Sequence, residues 1–206
     1  WLSVRDAPLL SLVRAWQSRS LSAQGAARQK ALLAFDQKWA KAFAARASWR
    51  CARAVVAQTL LPHLHAGGWT GGRVVSVMLT RWPIRLLEQR LDEAAAQHPQ
   101  SRTLADFRAD KALADAEWAA LEEARELVTC HARLAEIWPE KTTLLPWRIP
   151  NRRSIAAQNA EQPLVVFPAS GLARKGAIEM RDAMRSLQLP LRVAGKSQLE
   201  GDGDFW

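Results

Sequence analysis

Of the 206 residues, 163–195 constrain the architecture most. Leu164-Val165-Val166-Phe167 is a short apolar run of the kind a buried parallel strand needs. Pro168 lacks an N–H and Gly171 breaks strands, so Pro168-Ala169-Ser170-Gly171-Leu172-Ala173 reads as a loop. Arg174-Lys175-Gly176 opens a helix in which Ala177, Met180, Met184 and Leu187 recur at spacings of three and four. Pro190 ends that helix, and Leu191-Arg192-Val193-Ala194 returns as a second strand. The stretch reads as a β–α–β unit with two cations and a glycine at the helix N-terminus. That end is a candidate anion site, because free N–H groups point outward there and the helix dipole adds partial positive charge.

The same alternation runs upstream. Leu9, Leu12, Val13 and Trp16 follow i, i+3, i+4, i+7 spacing and predict an amphipathic helix over 8–18. Leu32, Phe35, Trp39, Ala42 and Phe43 predict a second helix over 25–47. A tryptophan stripe with basic neighbours could stack on bases, but at helical spacing it reads as core. Ala54-Val55-Val56-Ala57 is a short buried strand, and a short helix follows over 60–66. Gly67-Gly68-Trp69-Thr70-Gly71-Gly72 precedes a strand, whereas a phosphate loop follows one and opens a helix. It therefore reads as a flexible connection. His63 and His65 stand two apart with no third ligand nearby, so no metal site is expected.

Val74-Val75-Ser76-Val77-Met78-Leu79 is the clearest strand of the N-terminal half. Thr80-Arg81-Trp82 follows, and Pro83 takes the favoured first position of a helix carrying Ile84, Leu87, Leu91, Ala94 and Ala95. Ligands of open α/β sheets bind beyond the carboxyl ends of strands. Thr80 and Arg81 lie at such an end. Arg81 is read either as a contact for an anionic acceptor or as an ordinary surface arginine. A helix over 113–125 and a strand at Leu127-Val128 come next. Thr129 is expected to cap a helix carrying Leu134, Ile137 and Trp138, and a strand follows at Thr143-Leu144-Leu145. Residues 151–162 read as a linker-like loop.

Composition narrows the setting. Cys51 and Cys130 form neither a disulfide framework nor a zinc pattern, and they fit a reducing cytosol. No apolar run reaches the roughly 18 residues of a membrane-spanning helix. The net charge of +9 admits nucleic acid, an anionic membrane surface or a phosphorylated substrate as partner. No run of five like charges concentrates it. The chain opens on Trp1 and closes just after a strand. It is expected to be an internal or truncated piece, with the end of one domain over 1–150 and the start of another over 151–206.

These residues resemble the start of the second Rossmann domain of retaining GT-B glycosyltransferases, the large family 4 (glycosyl transferases group 1). That family shows an apolar strand, a short loop, Lys-Gly opening a helix, and a strand ending in glycine. Here these are Leu164 to Phe167, Lys175-Gly176, and Val193-Ala194-Gly195. Residues 124–135 and Lys141-Thr142-Thr143-Leu144-Leu145-Pro146-Trp147 look like the family's crossover between domains. The resemblance covers roughly residues 50–206. Two departures stand out. The family usually has Gly-Arg where Ala169-Ser170 stands, so one phosphate cation is missing or supplied by Arg174. The loop after Leu79 also lacks the histidine often found near the acceptor.

The resemblance implies an α/β fold of Rossmann-like, doubly wound parallel sheets of GT-B type. It implies transfer of a sugar from a nucleotide-activated donor to an acceptor the sequence does not name, without metal or cofactor. Arg174, Lys175, Gly176 and Ser170 would surround the donor diphosphate, with Thr80 and Arg81 on the acceptor side. Catalytic residues stay unassigned. The expected partners are the nucleotide sugar, the acceptor and an anionic membrane surface, with no specific nucleic acid. The expected location is the cytoplasm or the inner face of the membrane. The residues themselves leave open a non-enzymatic anion- or nucleic-acid-binding α/β module and an inactive GT-B scaffold. A lone β–α–β unit leaves a strand edge open, so residues 163–206 are expected to be the least protected.

Overall fold

The computed structural model describes residues 7–21, 25–147, 164–195 and 200. Two compact units emerge, Trp1–Gln89 with Arg108–Trp147, and Arg90–Phe107 with Arg148–Trp206. The chain of the second unit thus includes Arg90–Phe107, which lies inside the expected span of the first domain.

The first unit opens with helices α1 (Pro8–Ser20) and α2 (Ala26–Arg46). Strand β1 (Arg53–Ala57), helix α3 (Leu61–Ala66) and strand β2 (Val74–Met78) follow. Helix α4 (Ile84–Gln97) carries the chain into the second unit, and α5 (Lys111–Glu123) lies in the first. Strand β3 (Glu126–Thr129), the short helix α6 (Ala132–Ala135) and strand β4 (Thr142–Leu144) complete it. The four strands form one all-parallel sheet in the order of the sequence. Successive crossovers of one hand bring their helices to one face, and α3 packs against both α2 and α5. The architecture is α/β, compatible with a Rossmann-like fold; the strands follow sequence order without a reversal among the described residues, so the doubly wound arrangement expected from the resemblance is not seen in this sheet.

Strand alternation explains the core. Val56, Val77 and Leu127 stand in register on neighbouring strands and are buried, as is Val75. They meet Leu61 and Leu64 of α3, Leu121 of α5, and Leu134 of α6. The opposite face is open at Val55 and Met78. A polar row crosses it: Ser76 donates to Glu126 Oε2 at 3.2 Å and Thr143 to Glu126 Oε1 at 2.9 Å. Parallel sheets usually have both faces covered, so this polar row is a departure from the usual pattern.

Three local expectations need correcting. The glycine-rich stretch 67–72 is not a loose connection but a closed turn, with Trp69 N–H donating to the Leu64 carbonyl at 2.9 Å and Arg73 N–H to Thr70 at 3.1 Å. Gly68 and Gly72 supply the left-handed backbone it requires, at φ 72° and 71°. Thr129 does not cap α6; its hydroxyl accepts the N–H of His131, the residue that does precede the helix. The tryptophan stripe is core only in part. Phe35 and Ala40 of α2 are buried, whereas Trp16 of α1 is exposed, because α1 meets α2 through its other side.

In the second unit, β5 (Val165–Phe167) and β6 (Leu191–Val193) pair in parallel across helix α7 (Ala177–Leu187). Ala177 and Ile178 are buried, Met180 and Met184 are half-buried, and Leu187 is exposed. Gln188 ends α7 in a left-handed conformation, φ 53°, two residues before Pro190. The linker-like 151–162 lies outside the described residues. Among the described residues no helix is long and apolar enough to cross a membrane.

Candidate functional site

In the second unit the loop after β5 and the end of β6 are locked together. A Cβ at Gly195 would stand 2.4 Å from Ser170 Cα and 2.5 Å from the Ala169 carbonyl oxygen, so only glycine fits. This contact holds Ser170 at the carboxyl end of β5. Beyond it Leu172 N–H turns back to the Ser170 carbonyl at 2.7 Å.

The helix does not open at Arg174 as its sequence suggests. A 3₁₀ turn, Ala173–Lys175, comes first, and α7 starts after Gly176, whose φ of 84° makes the change of direction. The N–H groups of Lys175 and Gly176 are taken by the carbonyls of Leu172 and Ala173 at 2.9 and 2.8 Å. Gly176 therefore contributes a bend rather than a free donor. Arg174 and Lys175 are both exposed. The Arg174 guanidinium lies over the Phe107 ring at 5.4 Å, and although the residue as a whole is exposed, this partial desolvation lowers its pKa, opposed by the charge of Asp106.

Two acids lie at this turn and the start of α7. Glu200 is buried, and its carboxylate accepts the N–H of Ala173 at 2.9 Å, the Ser101 hydroxyl at 2.9 Å and the Thr103 hydroxyl. Glu179 lies in the first turn of α7, where a carboxylate suits the helix dipole.

In the first unit, the carboxyl ends of β1 and β2 carry a second polar knot. Gln58 follows β1 and is fully buried; its Oε1 accepts the N–H groups of Thr80 and Arg81, each at 3.1 Å. Its Nε2 donates to Glu117 Oε1 at 3.2 Å. The Arg81 guanidinium donates to the same oxygen at 2.8 Å, and Ile84 N–H to Glu117 Oε2 at 2.5 Å. Glu117 on α5 is wholly buried. Burial pushes its pKa up, while Arg81, Ile84 N–H and Gln58 pull it back. Arg81 is thus neither an ordinary surface arginine nor an unengaged cation, though its side chain stays 26% exposed. Thr80 is exposed. Asp36 of α2 is also buried, and its pKa is raised by burial against the charges of Arg14 and Arg81.

Thr80 and Arg81 stand out in the sequence as residues at a strand end, whereas Gln58 and Glu117, which hold them, do not. The signal for Glu117 was its place on the buried stripe of α5, three residues from both Ala114 and Ala120. Beside the end of β1 lies a cavity of about 690 Å³, lined by Pro8, Ser11 and Leu12 of α1, by Trp39 and Phe43, and by Thr59 and Leu60. Among the described residues no three His, Cys, Asp or Glu side chains are grouped to hold a metal. Comparison with protein-family models, with curated proteins and with solved structures finds no match.

Proposed function

We propose that the chain takes part in glycosyl transfer from a nucleotide-activated sugar, with Arg174 and Lys175 at the donor diphosphate. The observation that carries this reading is the Gly195–Ser170 contact. It draws the carboxyl ends of two parallel strands together and leaves two exposed cations at the following turn. Departure of a nucleoside diphosphate puts negative charge on a leaving oxygen, and fixed cations stabilise that charge without reorganising. Arg174 supplies a planar, bidentate donor and Lys175 a point charge. Ser170 adds a hydroxyl at the strand end. Thr80 and Arg81 of the first unit are the candidate acceptor contacts, and Glu117 and Gln58 fix the position of Arg81.

A second reading, an inactive scaffold of the same fold, is favoured by Glu200. Its carboxylate already takes the N–H of Ala173 that a phosphate would use. Titration calorimetry with uridine, guanosine and adenosine diphosphates separates the two. Saturable binding of one of them, lost in Lys175→Ala, supports transfer. No binding of any nucleoside diphosphate, with the protein folded, leaves the scaffold reading.

A further inference from the structure

Helix α1 faces the wrong way for a helix that serves only the core. Leu9, Leu12, Val13 and Trp16 share one side by their spacing, and they are 75%, 67%, 44% and 70% exposed. The less exposed side is Ala7, Leu10, Arg14 and Gln17, a mixed set, with Arg14 over the ring of Trp39 at 4.7 Å. A helix shaped solely to pack on α2 would turn its Leu, Val and Trp inward. A contiguous exposed apolar patch of this kind marks a contact surface.

Charge identifies what the surface meets. Helix α1 has no acidic residue, and residues 8–46 carry seven Lys and Arg against the single Asp36, which is buried. Lys30, Lys38 and Lys41 are exposed and share one side of α2 by their spacing of eight and three. Most of the chain's +9 therefore lies on this helix pair. Two copies meeting through α1 would bring two such cationic hairpins together, at a cost in repulsion. An anionic lipid surface has the opposite charge and an apolar interior beneath it. Tryptophan favours that boundary, with its ring among the headgroups and its indole N–H toward water.

We propose that α1 docks flat on an anionic lipid bilayer, with Leu9, Val13 and Trp16 seated between headgroups and acyl chains and Leu12 at the edge of that face, bordering the cavity beside β1. The exposed Arg19 of α1 and Lys30, Lys38 and Lys41 of α2 hold the anionic headgroups. The proposal needs neither a donor nor an acceptor and does not rest on the transferase reading.

Co-sedimentation of the full chain with phosphatidylcholine vesicles, with and without phosphatidylglycerol, tests it. The expected result is binding to the anionic vesicles that weakens as salt is raised. Leu9→Glu with Trp16→Glu should reduce partitioning by about tenfold or more. Its melting temperature should stay unchanged, because both side chains are already exposed. Lys38→Glu with Lys41→Glu should remove the preference for phosphatidylglycerol. Equal partitioning of the parent and the Leu9/Trp16 variant would overturn the proposal. So would a dimer in sedimentation equilibrium that Trp16→Glu dissociates, in a chain that ignores vesicles.

Discussion

Glu117 shows how a single residue can organise the ends of two strands. Its two oxygens take three donors from two parts of the chain, Gln58 after β1 and, before and at the start of α4, Arg81 and the Ile84 N–H. Removing one partner of a buried, hydrogen-bonded pair leaves the others desolvated and unpaired. Glu117→Ala is therefore expected to cost about 3–5 kcal/mol, measurable as a lower urea midpoint at unchanged m-value. Asp36 gives a pH-dependent prediction. Its folded pKa lies above the ordinary 3.8, so the folded state binds the proton more tightly than the unfolded one. The stability it contributes is full below that ordinary value and is lost as pH rises through the raised one. Melting temperature should fall across that window, and Asp36→Asn should make the fall shallower. Lys175 belongs to the opposite class. It is exposed and breaks no buried pair when truncated, so Lys175→Ala should melt like the parent. If it acts on leaving-group charge, turnover should drop by about 10²–10³ in a sugar-nucleotide assay. Arg81 was legible because it follows an apolar strand. Glu117 and Gln58 were not, since a polar residue on an apolar stripe declares no partner until the chain is folded.

At the scale of elements, sequence periodicity located the strands and helices well, because each is short and bounded by Pro, Gly or a polar run. Pro8, Pro83 and Pro190 stand at or beside element ends, and β1, β2 and β3 each lie within about a residue or two of their expected bounds. What periodicity could not supply was direction. The stripe of α1 has helical spacing whichever way it faces, and only packing on α2 turns it outward. Nor could it reveal the 3₁₀ turn before α7, because that turn depends on the left-handed Gly176 and on the three donors that hold Glu200. In the sequence Gly195 marks only the end of a strand, although the Ser170 backbone lies where its side chain would be. Gly195→Ala should force β6 away from the loop and destabilise this unit by about 1–3 kcal/mol or more. Hydrogen exchange over residues 165–193 should accelerate while β1, β2 and β3 keep their protection.

Across the whole molecule, the two units differ in how their sheets are secured. The first has four strands and a contiguous core; the second pairs two three-residue strands. A two-stranded sheet is weak without further packing. Amides of β5 and β6 are therefore expected to exchange faster than those of β2 and β3, and equal protection would contradict this. The open face of the larger sheet has another consequence. Val55 and Met78 make it sticky, yet Glu126 stands in its middle, its oxygens held by Ser76 and Thr143. A second sheet laid against that face would have to strip water from a carboxylate, which is costly without a cation to replace it. The same three-residue row that looks like decoration on a bare sheet thus works as a solubility guard. Glu126→Val should leave the strand register intact and make concentrated solutions scatter light and precipitate.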